Sequence, residues 1–244
     1  MSEIVFRADS ITRSFGQRRV LNAATLWARR ARIGALLGRN GSGKTTLMRI
    51  AAGLLRADQG VILFDGEALS RPRLHQLARL GLFLLPERGL LPREPTVGAL
   101  LGIVAEAFGS QARLERVVER LRIGELLEQL PATLSGGEQR RVEVAVATAR
   151  APRVLLADEP FMGIAPADAE IIAAALRRLA ADGCAIVVSG HEVEQVLDIA
   201  DEVIWITAGT THSLGSADEA RGHWQFQREY LGPLQRRPAG GPAA

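Results

Sequence analysis

Residues 38–45 have the residue types and spacing that most directly suggest chemistry in this 244-residue chain. They read GRNGSGKT, which satisfies the pattern G-x-x-x-x-G-K-[ST]. Glycines permit backbone conformations in which successive N–H groups converge on phosphate oxygens, and the N-terminus of a following helix adds positive potential. Lys44 would reach the β- and γ-phosphates, and the Thr45 hydroxyl would ligate Mg²⁺. The segment therefore predicts a nucleoside triphosphate site, with an ordinary glycine-rich turn as the alternative.

Two carboxylates follow a short apolar segment later in the chain. Residues 154–157 read VLLA, and Asp158 and Glu159 come directly after them. In enzymes with such a phosphate loop, an aspartate at this place holds the Mg²⁺ shell, and a neighbouring glutamate can polarise the attacking water. Alone, an acidic pair at a strand end would more often be a helix cap or a solvated turn. The phosphate loop makes that alternative the weaker one.

His191 occupies a similar position after another apolar segment, residues 185–189. Open α/β sheets bind their ligands at the carboxyl ends of the strands. His191 could there hydrogen-bond the γ-phosphate or the attacking water. A helix-capping or surface histidine is the alternative.

Residues 134–139 read LSGGEQ and are the most diagnostic segment. Ser135 and Glu138 have the spacing of a capping box at the start of a helix. Gly136 and Gly137 would lower the stability of that helix, and a cap does not need them. Without side chains, they would let backbone N–H groups approach an anion closely. We interpret the segment as a second surface that faces phosphate.

The composition narrows the possible functions. Arginine and lysine total 30 against 27 acidic residues, and the resulting net charge of +3 is too small to indicate nucleic-acid binding. Lys44 is the one lysine. The one cysteine, Cys184, excludes an internal disulfide and suits a reducing compartment. The first residues lack the pattern of a secretory signal, and no uncharged apolar stretch approaches about 18 residues, so we expect no membrane span.

The spacing of apolar residues predicts the elements that position these groups. A strand over 33–37 leads through the phosphate loop into a helix over 45–55. Residues 61–64 end in the turn pair Asp65-Gly66 and predict part of a hairpin. Residues 80–85 predict a buried strand that Pro86 ends.

The periodicity changes between Pro92 and Pro131, where we predict a helical insertion. Its apolar stripe consists of Leu114, Val117, Val118 and Leu121. Further along, the segments 154–157 and 185–189 predict two strands, and the helix between them opens at Pro166 and closes at Gly183. Two strands joined by such a helix form a parallel crossover, which indicates an α/β fold.

In this order and spacing, the phosphate loop, the segment LSGGE, the segment ADEP at 157–160 and His191 resemble the ATP-binding subunits of ABC transporters. The EPF run at 159–161 and the ending EYLG at 229–232 are similar to the group that contains ATPases of branched-chain amino-acid importers and lipopolysaccharide exporters. The resemblance covers residues 3–232. It implies an enzyme that hydrolyses ATP to drive a separate membrane subunit.

The resemblance also implies the fold, a P-loop NTPase with a RecA-like core, an antiparallel β subdomain and an inserted helical subdomain. We expect the core at residues 3–89 and 151–232 and the helical subdomain at about 90–150. Residues 233–244 are expected to form a mobile tail.

The family's roles map onto positions of this chain. Glu159 matches the catalytic base, Asp158 the aspartate of the Mg²⁺ shell and His191 the switch histidine. Phe15 falls where the family stacks an aromatic ring on adenine, although a core phenylalanine is the alternative. The implied nucleotide-binding residues are Phe15, Gly38, Arg39, Asn40, Gly41, Ser42, Gly43, Lys44, Thr45 and Thr46.

In the family, the LSGGE segment completes the ATP site of the opposite protomer. The resemblance therefore implies a head-to-tail dimer with two ATP molecules between the subunits. Ser135, Gly136, Gly137 and Glu138 would contact the nucleotide held by the other copy. The second subunit would be another copy of this chain or a related one.

Four positions depart from the family pattern. Glu87 stands where most of the family has glutamine. A glutamate at this place resembles the ATPases of branched-chain amino-acid importers, and it can still ligate Mg²⁺. Ala165 replaces an aspartate of the loop that links the two ATP sites. Arg39 and Ala157 replace a common proline and a common leucine, and we expect both to be tolerated.

The implied partners are transmembrane permease subunits, and no nucleic acid is expected. The chain would be cytoplasmic and peripheral on the inner face of the cell membrane. A groove near residues 87–95 would receive a helix of the transporter, with Leu90, Leu91 and Val97 as its apolar wall or, alternatively, as core residues. Two other functions stay open, a soluble ABC ATPase of repair or translation and a cassette that senses ATP with impaired hydrolysis.

Overall fold

The computed structural model describes residues 3–231, which form ten strands and nine α-helices. The strands are β1 (Ile4–Phe15), β2 (Arg18–Arg29), β3 (Ile33–Leu37), β4 (Gln59–Phe64), β5 (Glu67–Leu69), β6 (Leu82–Leu85), β7 (Val154–Ala157), β8 (Ala185–Gly190), β9 (Glu202–Thr207) and β10 (Thr210–Gly215). The helices are α1 (Lys44–Ala51), α2 (Leu74–Arg79), α3 (Val97–Ala107), α4 (Gln111–Arg120), α5 (Gly136–Ala149), α6 (Pro166–Ala181), α7 (Val193–Leu197), α8 (Ala217–Gly222) and α9 (Trp224–Phe226). The expected tail, residues 233–244, lies outside the described residues.

A six-stranded sheet in the order β10-β9-β3-β8-β7-β6 forms the centre. β6, β7, β8, β3 and β9 are parallel, and β10 pairs with β9 in the antiparallel sense. All residues of β3, β7 and β8 are buried, which explains why these strands read as continuous apolar runs rather than as alternating patterns. The predicted crossover between β7 and β8 through α6 is confirmed.

A second sheet is antiparallel, in the order β2-β1-β4-β5. The predicted hairpin is confirmed between β4 and β5. Asp65 and Gly66 both have positive φ, 51° and 81°, as a two-residue hairpin turn with the right-handed strand twist requires. Phe6 and Phe64 meet edge to face in the core that this sheet shares with α1.

One face of the central sheet packs against the antiparallel sheet and α1. The opposite face packs against α3, α4, α5 and α6 in one core. α4 confirms the predicted helix in the middle segment, with Val117 buried on its apolar stripe. Val97 is fully buried, so the core alternative is correct for this residue and it forms no groove wall. Leu90 and Leu91 pack partly buried against the same core. The division into a RecA-like core and a helical subdomain at about 90–150 stays a prediction.

The structure corrects the helix predicted over 45–55. The helix α1 ends at Ala51, because Gly53 adopts a φ of 73°, in the left-handed region where a helix cannot continue. Leu54, expected on the buried face, is 53% exposed. The strands β1, β2, β9 and β10 had no counterpart in the sequence interpretation.

Candidate nucleotide site

The predicted site residues follow three neighbouring strands. Gly38 follows β3, Asp158 follows β7, and His191 follows β8, which lies between the other two. Because the three strands are parallel, their carboxyl ends meet at one edge of the sheet. A cavity of about 480 Å³ opens at this edge. Its lining includes Asn40, Gly41, Gly43, Lys44, Thr45, Thr46, Glu87, Glu159 and His191.

Two further cavities share residues with this one. A cavity of about 450 Å³ is lined by Arg39, Asn40, Gly41 and Ser42. Another, of about 650 Å³, is lined by Phe15, Thr46, Glu87 and Asp158. The predicted phosphate, metal and base-stacking residues therefore lie along one continuous face.

The structure explains why two positions of the phosphate loop, 38 and 43, require glycine. A Cβ at Gly38 would overlap the carbonyl oxygen of Ile206. Gly43 caps α1 with a φ of 107°, and a Cβ there would lie 2.7 Å from Leu21 Cδ2. Glycine is needed at both positions because the loop turns tightly against the sheet before the helix begins.

Lys44 is 6% exposed and folds back over its own loop. Its Nζ donates to the carbonyl of Gly38 at 2.7 Å and lies 3.7 Å from Glu159 Oε1. Burial lowers the pKa of Lys44, and the nearby carboxylates of Glu159 and Asp158 oppose that shift. The loop also holds a buried polar atom, Ser42 Oγ, that has no hydrogen-bond partner among the described residues. An incoming phosphate would supply one.

Asp158 is held by two hydroxyl groups. Ser189 Oγ donates to Asp158 Oδ1 at 2.6 Å, and Thr45 Oγ1 lies 3.4 Å from the same oxygen. Burial raises the pKa of Asp158, while these hydrogen bonds lower it. The predicted metal ligands Thr45 and Asp158 are thus brought together. Ser189, at the end of β8, was missed because its role depends on which strand lies beside β7.

Glu159 and His191 form a direct pair. Glu159 Oε2 lies 2.7 Å from His191 Nδ1 and accepts from the His191 backbone N–H at 3.1 Å. The backbone N–H of Glu159 in turn donates to Ser189 Oγ at 3.1 Å. Glu159 has a φ of 50°, a strained backbone conformation that non-glycine residues hold where surrounding contacts impose it. These contacts fix the buried Glu159 carboxylate in the lining of the cavity.

Arg140 is the main site residue that the sequence interpretation missed. It is buried, and its guanidinium donates to the carbonyls of Pro86 at 2.8 Å, Glu87 at 3.0 Å and Glu159 at 2.9 Å. It also pairs with Glu143 at 2.8 Å. One side chain of α5 therefore ties the loop that carries Glu87 to the loop that carries the acidic pair. A charged residue at a core-facing position of an amphipathic helix was the available signal.

Tyr230 is a second such residue. Its hydroxyl donates to the carbonyl of Gly190 at 3.1 Å, next to His191. Burial raises the pKa of Tyr230 to about 12, so the hydroxyl keeps its proton. The ring packs on Phe226, which contacts Trp205 of β9. The last described turn thereby supports the backbone that presents His191.

Phe15 lies at the end of β1 with 45% of its surface exposed, so the core alternative is wrong. The guanidinium of Arg13 stacks 4.9 Å from the centre of its ring. Phe15 and Thr46 line the same cavity, so a planar ligand in that cavity could stack on the ring.

The segment from Ser135 to Glu138 begins α5 and lines none of the three cavities. Ser135 and Glu138 form the predicted capping box, and Ser135 holds the pKa of Glu138 below its usual range. A Cβ at Gly136 would meet nothing within 4 Å, whereas a Cβ at Gly137 would overlap Asp168 Oδ2. Only the second glycine is required by contacts within residues 3–231.

A model of the ABC transporter family matches residues 14–162, which include the phosphate loop, the LSGGE segment and the acidic pair. The chain belongs to the ABC transporter family. It is an ATP-binding subunit that hydrolyses ATP to energise transport.

Individual relatives agree over nearly the whole chain. The lipopolysaccharide export system ATP-binding protein LptB of Haemophilus influenzae is 33% identical over 93% of this chain and 97% of its own length. A probable ABC transporter ATP-binding protein of Azorhizobium caulinodans is 35% identical over 92% of this chain and 82% of its own. These similarities extend well beyond the segment that the family model matches.

Solved structures show the same fold. A nucleotide-free ATP-binding cassette from an ABC transporter superposes with a TM-score of 0.82 at 21% identity, covering 95% of this chain and all of that one. An ATP-binding subunit of an ABC transporter superposes with a TM-score of 0.78 at 25% identity, covering 93% of this chain and 96% of that one. The predicted P-loop NTPase fold is confirmed. Across residues 3–231, no helix has the length and apolar character needed to cross a membrane.

Proposed function

We propose that two copies of this chain hold ATP between the phosphate loop of one and the Ser135–Gly137 segment of the other. The observation that carries the proposal is an asymmetry. Lys44, Thr45, Glu159 and His191 line one cavity, whereas the Ser135–Gly137 segment lies outside it with Ser135 and Gly136 exposed. A second copy would bring that segment to the nucleotide.

The γ-phosphate would displace two contacts that Lys44 now makes. Its Nζ would exchange the Gly38 carbonyl and the Glu159 carboxylate for phosphate oxygens, which carry more negative charge. Ser42 Oγ would donate to the same group. Releasing Lys44 frees one oxygen of Glu159 for water.

Glu159 is proposed as the general base. His191 Nδ1 contacts Oε2 of Glu159, so the other oxygen, Oε1, can accept the proton of the attacking water. His191 orients the carboxylate, and its exposed ring edge can hydrogen-bond the γ-phosphate. Asp158, Thr45 and Glu87 are proposed as the metal-site residues.

The residues fit Mg²⁺ bound together with the substrate. Within residues 3–231, no three His, Cys, Asp or Glu side chains are grouped to hold a metal alone. Mg²⁺ is commonly held by one or two carboxylates plus substrate phosphates, and the Thr45 hydroxyl beside Asp158 supplies such a partial set. When bound, Mg²⁺ would neutralise charge on the phosphates. Glu87 adds a carboxylate near Asp158, whose pKa is raised mainly by burial and further by the charges of Glu159 and Glu87.

Alanine substitutions at the two glycines test the role of the segment. We expect Gly136→Ala to preserve the free energy of unfolding or raise it by about 0.5 kcal/mol, because alanine favours helix and meets no neighbour. ATP-dependent dimerisation and turnover should nevertheless fall at least about tenfold, since the methyl group stands where phosphate would approach. Chemical denaturation and sedimentation with ATP measure the two effects.

Gly137→Ala is the matched comparison for the effect of an added methyl group on stability. Its Cβ displaces Asp168, whose carboxylate pairs with Arg141 at 2.9 Å, so we expect a loss of about 1 kcal/mol in stability. A Gly136→Ala protein that dimerises normally with ATP would show that the segment does not contact the nucleotide.

Phe15→Ala tests the stacking role. We expect the dissociation constant for ATP to rise about five- to tenfold, the usual scale for one aromatic contact to a base. The stability should change by less than about 0.5 kcal/mol, because the ring is half exposed. Titration with ATP and with triphosphate alone distinguishes loss of base stacking from damage to the phosphate site. Triphosphate lacks the base, so it should bind Phe15→Ala and the unsubstituted protein equally. An unchanged affinity for ATP would remove Phe15 from the site.

The partner is proposed to be a pair of transmembrane subunits, with this chain on the cytoplasmic face of the membrane. Leu90 and Leu91 lie partly exposed beside Glu87, where a helix of the partner would dock. Affinity purification from detergent-solubilised membranes tests this point. Recovery of a stoichiometric integral membrane protein supports it, and recovery of soluble repair or translation factors alone would favour the other class of ABC ATPase.

A further inference from the structure

A fourth cavity, lined mainly by polar groups, lies at the opposite edge of the central sheet from the three cavities at the nucleotide site. Arg153 and Cys184, which line it, come directly before β7 and β8, whereas the nucleotide site follows those strands. Its volume is about 520 Å³, within the range of small-molecule sites. None of its lining residues lines the three cavities at the nucleotide edge.

Arginine dominates this cavity. Six of its fifteen lining residues are arginines, whereas the whole chain has 29 in 244. They are Arg30, Arg113, Arg116, Arg120, Arg153 and Arg178. The acidic residue that lines the cavity, Asp182, is engaged by Arg178 at 3.0 Å. The chain's general preference for arginine does not explain this concentration.

Three of these guanidinium groups form no ion pair among residues 3–231, although Glu115 and Glu119 lie on the same helix outside the cavity lining. They are Arg113, Arg116 and Arg120, which repeat along one face of α4. Like charges three or four residues apart destabilise a helix. Arg30 and Arg153, by contrast, pair with Glu3 and Asp65 outside the cavity lining.

The remaining lining groups add no negative charge. Burial raises the pKa of the Cys184 thiol to about 12, so it is neutral at physiological pH. Thr148 contributes a hydroxyl, although this hydroxyl already donates to the carbonyl of Val144. A ligand would therefore meet positive charge from α4 on one side and a neutral wall of sheet edge on the other.

We propose that this cavity binds a small molecule that carries two or more phosphate groups, at a site separate from the nucleotide site. Guanidinium forks bind phosphate oxygens in pairs, and three unmatched forks on one helix face suit more than one phosphate. The concave shape favours a small molecule over an extended polymer.

Pyrophosphate is the probe, and all proteins carry Lys44→Ala to suppress binding at the phosphate loop. Calorimetry without Mg²⁺ compares Arg113→Gln/Arg116→Gln/Arg120→Gln with a control triple, Arg79→Gln/Arg93→Gln/Arg228→Gln. The control removes the same charge from exposed positions outside the cavity. We expect the first triple to weaken binding at least tenfold and the control less than twofold.

Modification of arginines by phenylglyoxal gives an independent readout. Pyrophosphate should protect Arg113, Arg116 and Arg120 and leave Arg79 unprotected. Equal losses in both triples, or no saturable binding in the starting protein, would overturn the proposal. Binding to vesicles of anionic lipid without binding of pyrophosphate would also overturn it, since the charge would then serve a membrane surface.

Discussion

Glu159→Gln is expected to cut ATP turnover by about 100-fold or more while ATP binding is retained, because the amide cannot take a proton from water. The substitution keeps the shape of the side chain. Its oxygen can still accept from the backbone N–H of His191, and the backbone bond from Glu159 to Ser189 is unaffected. Steady-state hydrolysis together with equilibrium binding of ATP measures the two effects.

Glu192→Gln is the matched control. This neighbouring carboxylate lies 3.7 Å from the other ring nitrogen of His191 and is exposed. It should retain turnover within about twofold, the level of an ordinary surface substitution. Near-normal hydrolysis by Glu159→Gln would remove Glu159 from the role of base.

Arg140→Met is expected to lower the free energy of unfolding by about 3 kcal/mol or more, since it leaves Glu143 buried without its partner. Burial raises the pKa of Glu143, and the guanidinium opposes that shift. Turnover should fall at least about tenfold even where the protein is folded, because misplacement of catalytic groups by about 1 Å is costly. The carbonyls of Glu87 and Glu159 would lose the donor that fixes their spacing.

Two further variants separate stability from catalysis. Arg140→Met/Glu143→Met removes both charges and should recover much of the stability but not the turnover. Arg150→Met removes a half-buried arginine at the other end of the same helix, where it donates to the carbonyls of Leu82 and Ala78. That variant should lose stability and keep its turnover. Full activity in the folded double variant would show that Arg140 serves packing alone.

The residues that we propose to contact phosphate could be predicted from the sequence because their spacing within one loop or strand end determines their placement. The phosphate loop, the acidic pair and His191 each follow an apolar strand, and parallel pairing brings those ends together. The capping box at Ser135 was likewise a local pattern.

The supporting residues could not be predicted in the same way. Arg140, Ser189 and Tyr230 act on backbone groups that are distant in sequence, so their partners depend on strand order and on the packing of α5. The end of α1 was misjudged because the apolar pattern continues through Leu54, while the backbone of Gly53 ends the helix. Val97 was assigned to a groove wall with core as the alternative, and its complete burial supports the alternative.

A mixing experiment tests most directly whether one copy completes the site of another. Both proteins carry Glu159→Gln, and one also carries Lys44→Ala while the other also carries Gly136→Asp. The aspartate at position 136 has space and is favourable at the helix N-terminus, but its charge would repel phosphate. Each protein alone should remain monomeric with ATP, whereas the mixture should form dimers that hold one nucleotide per two chains. Mixtures that stay monomeric at saturating ATP would contradict a site shared between copies.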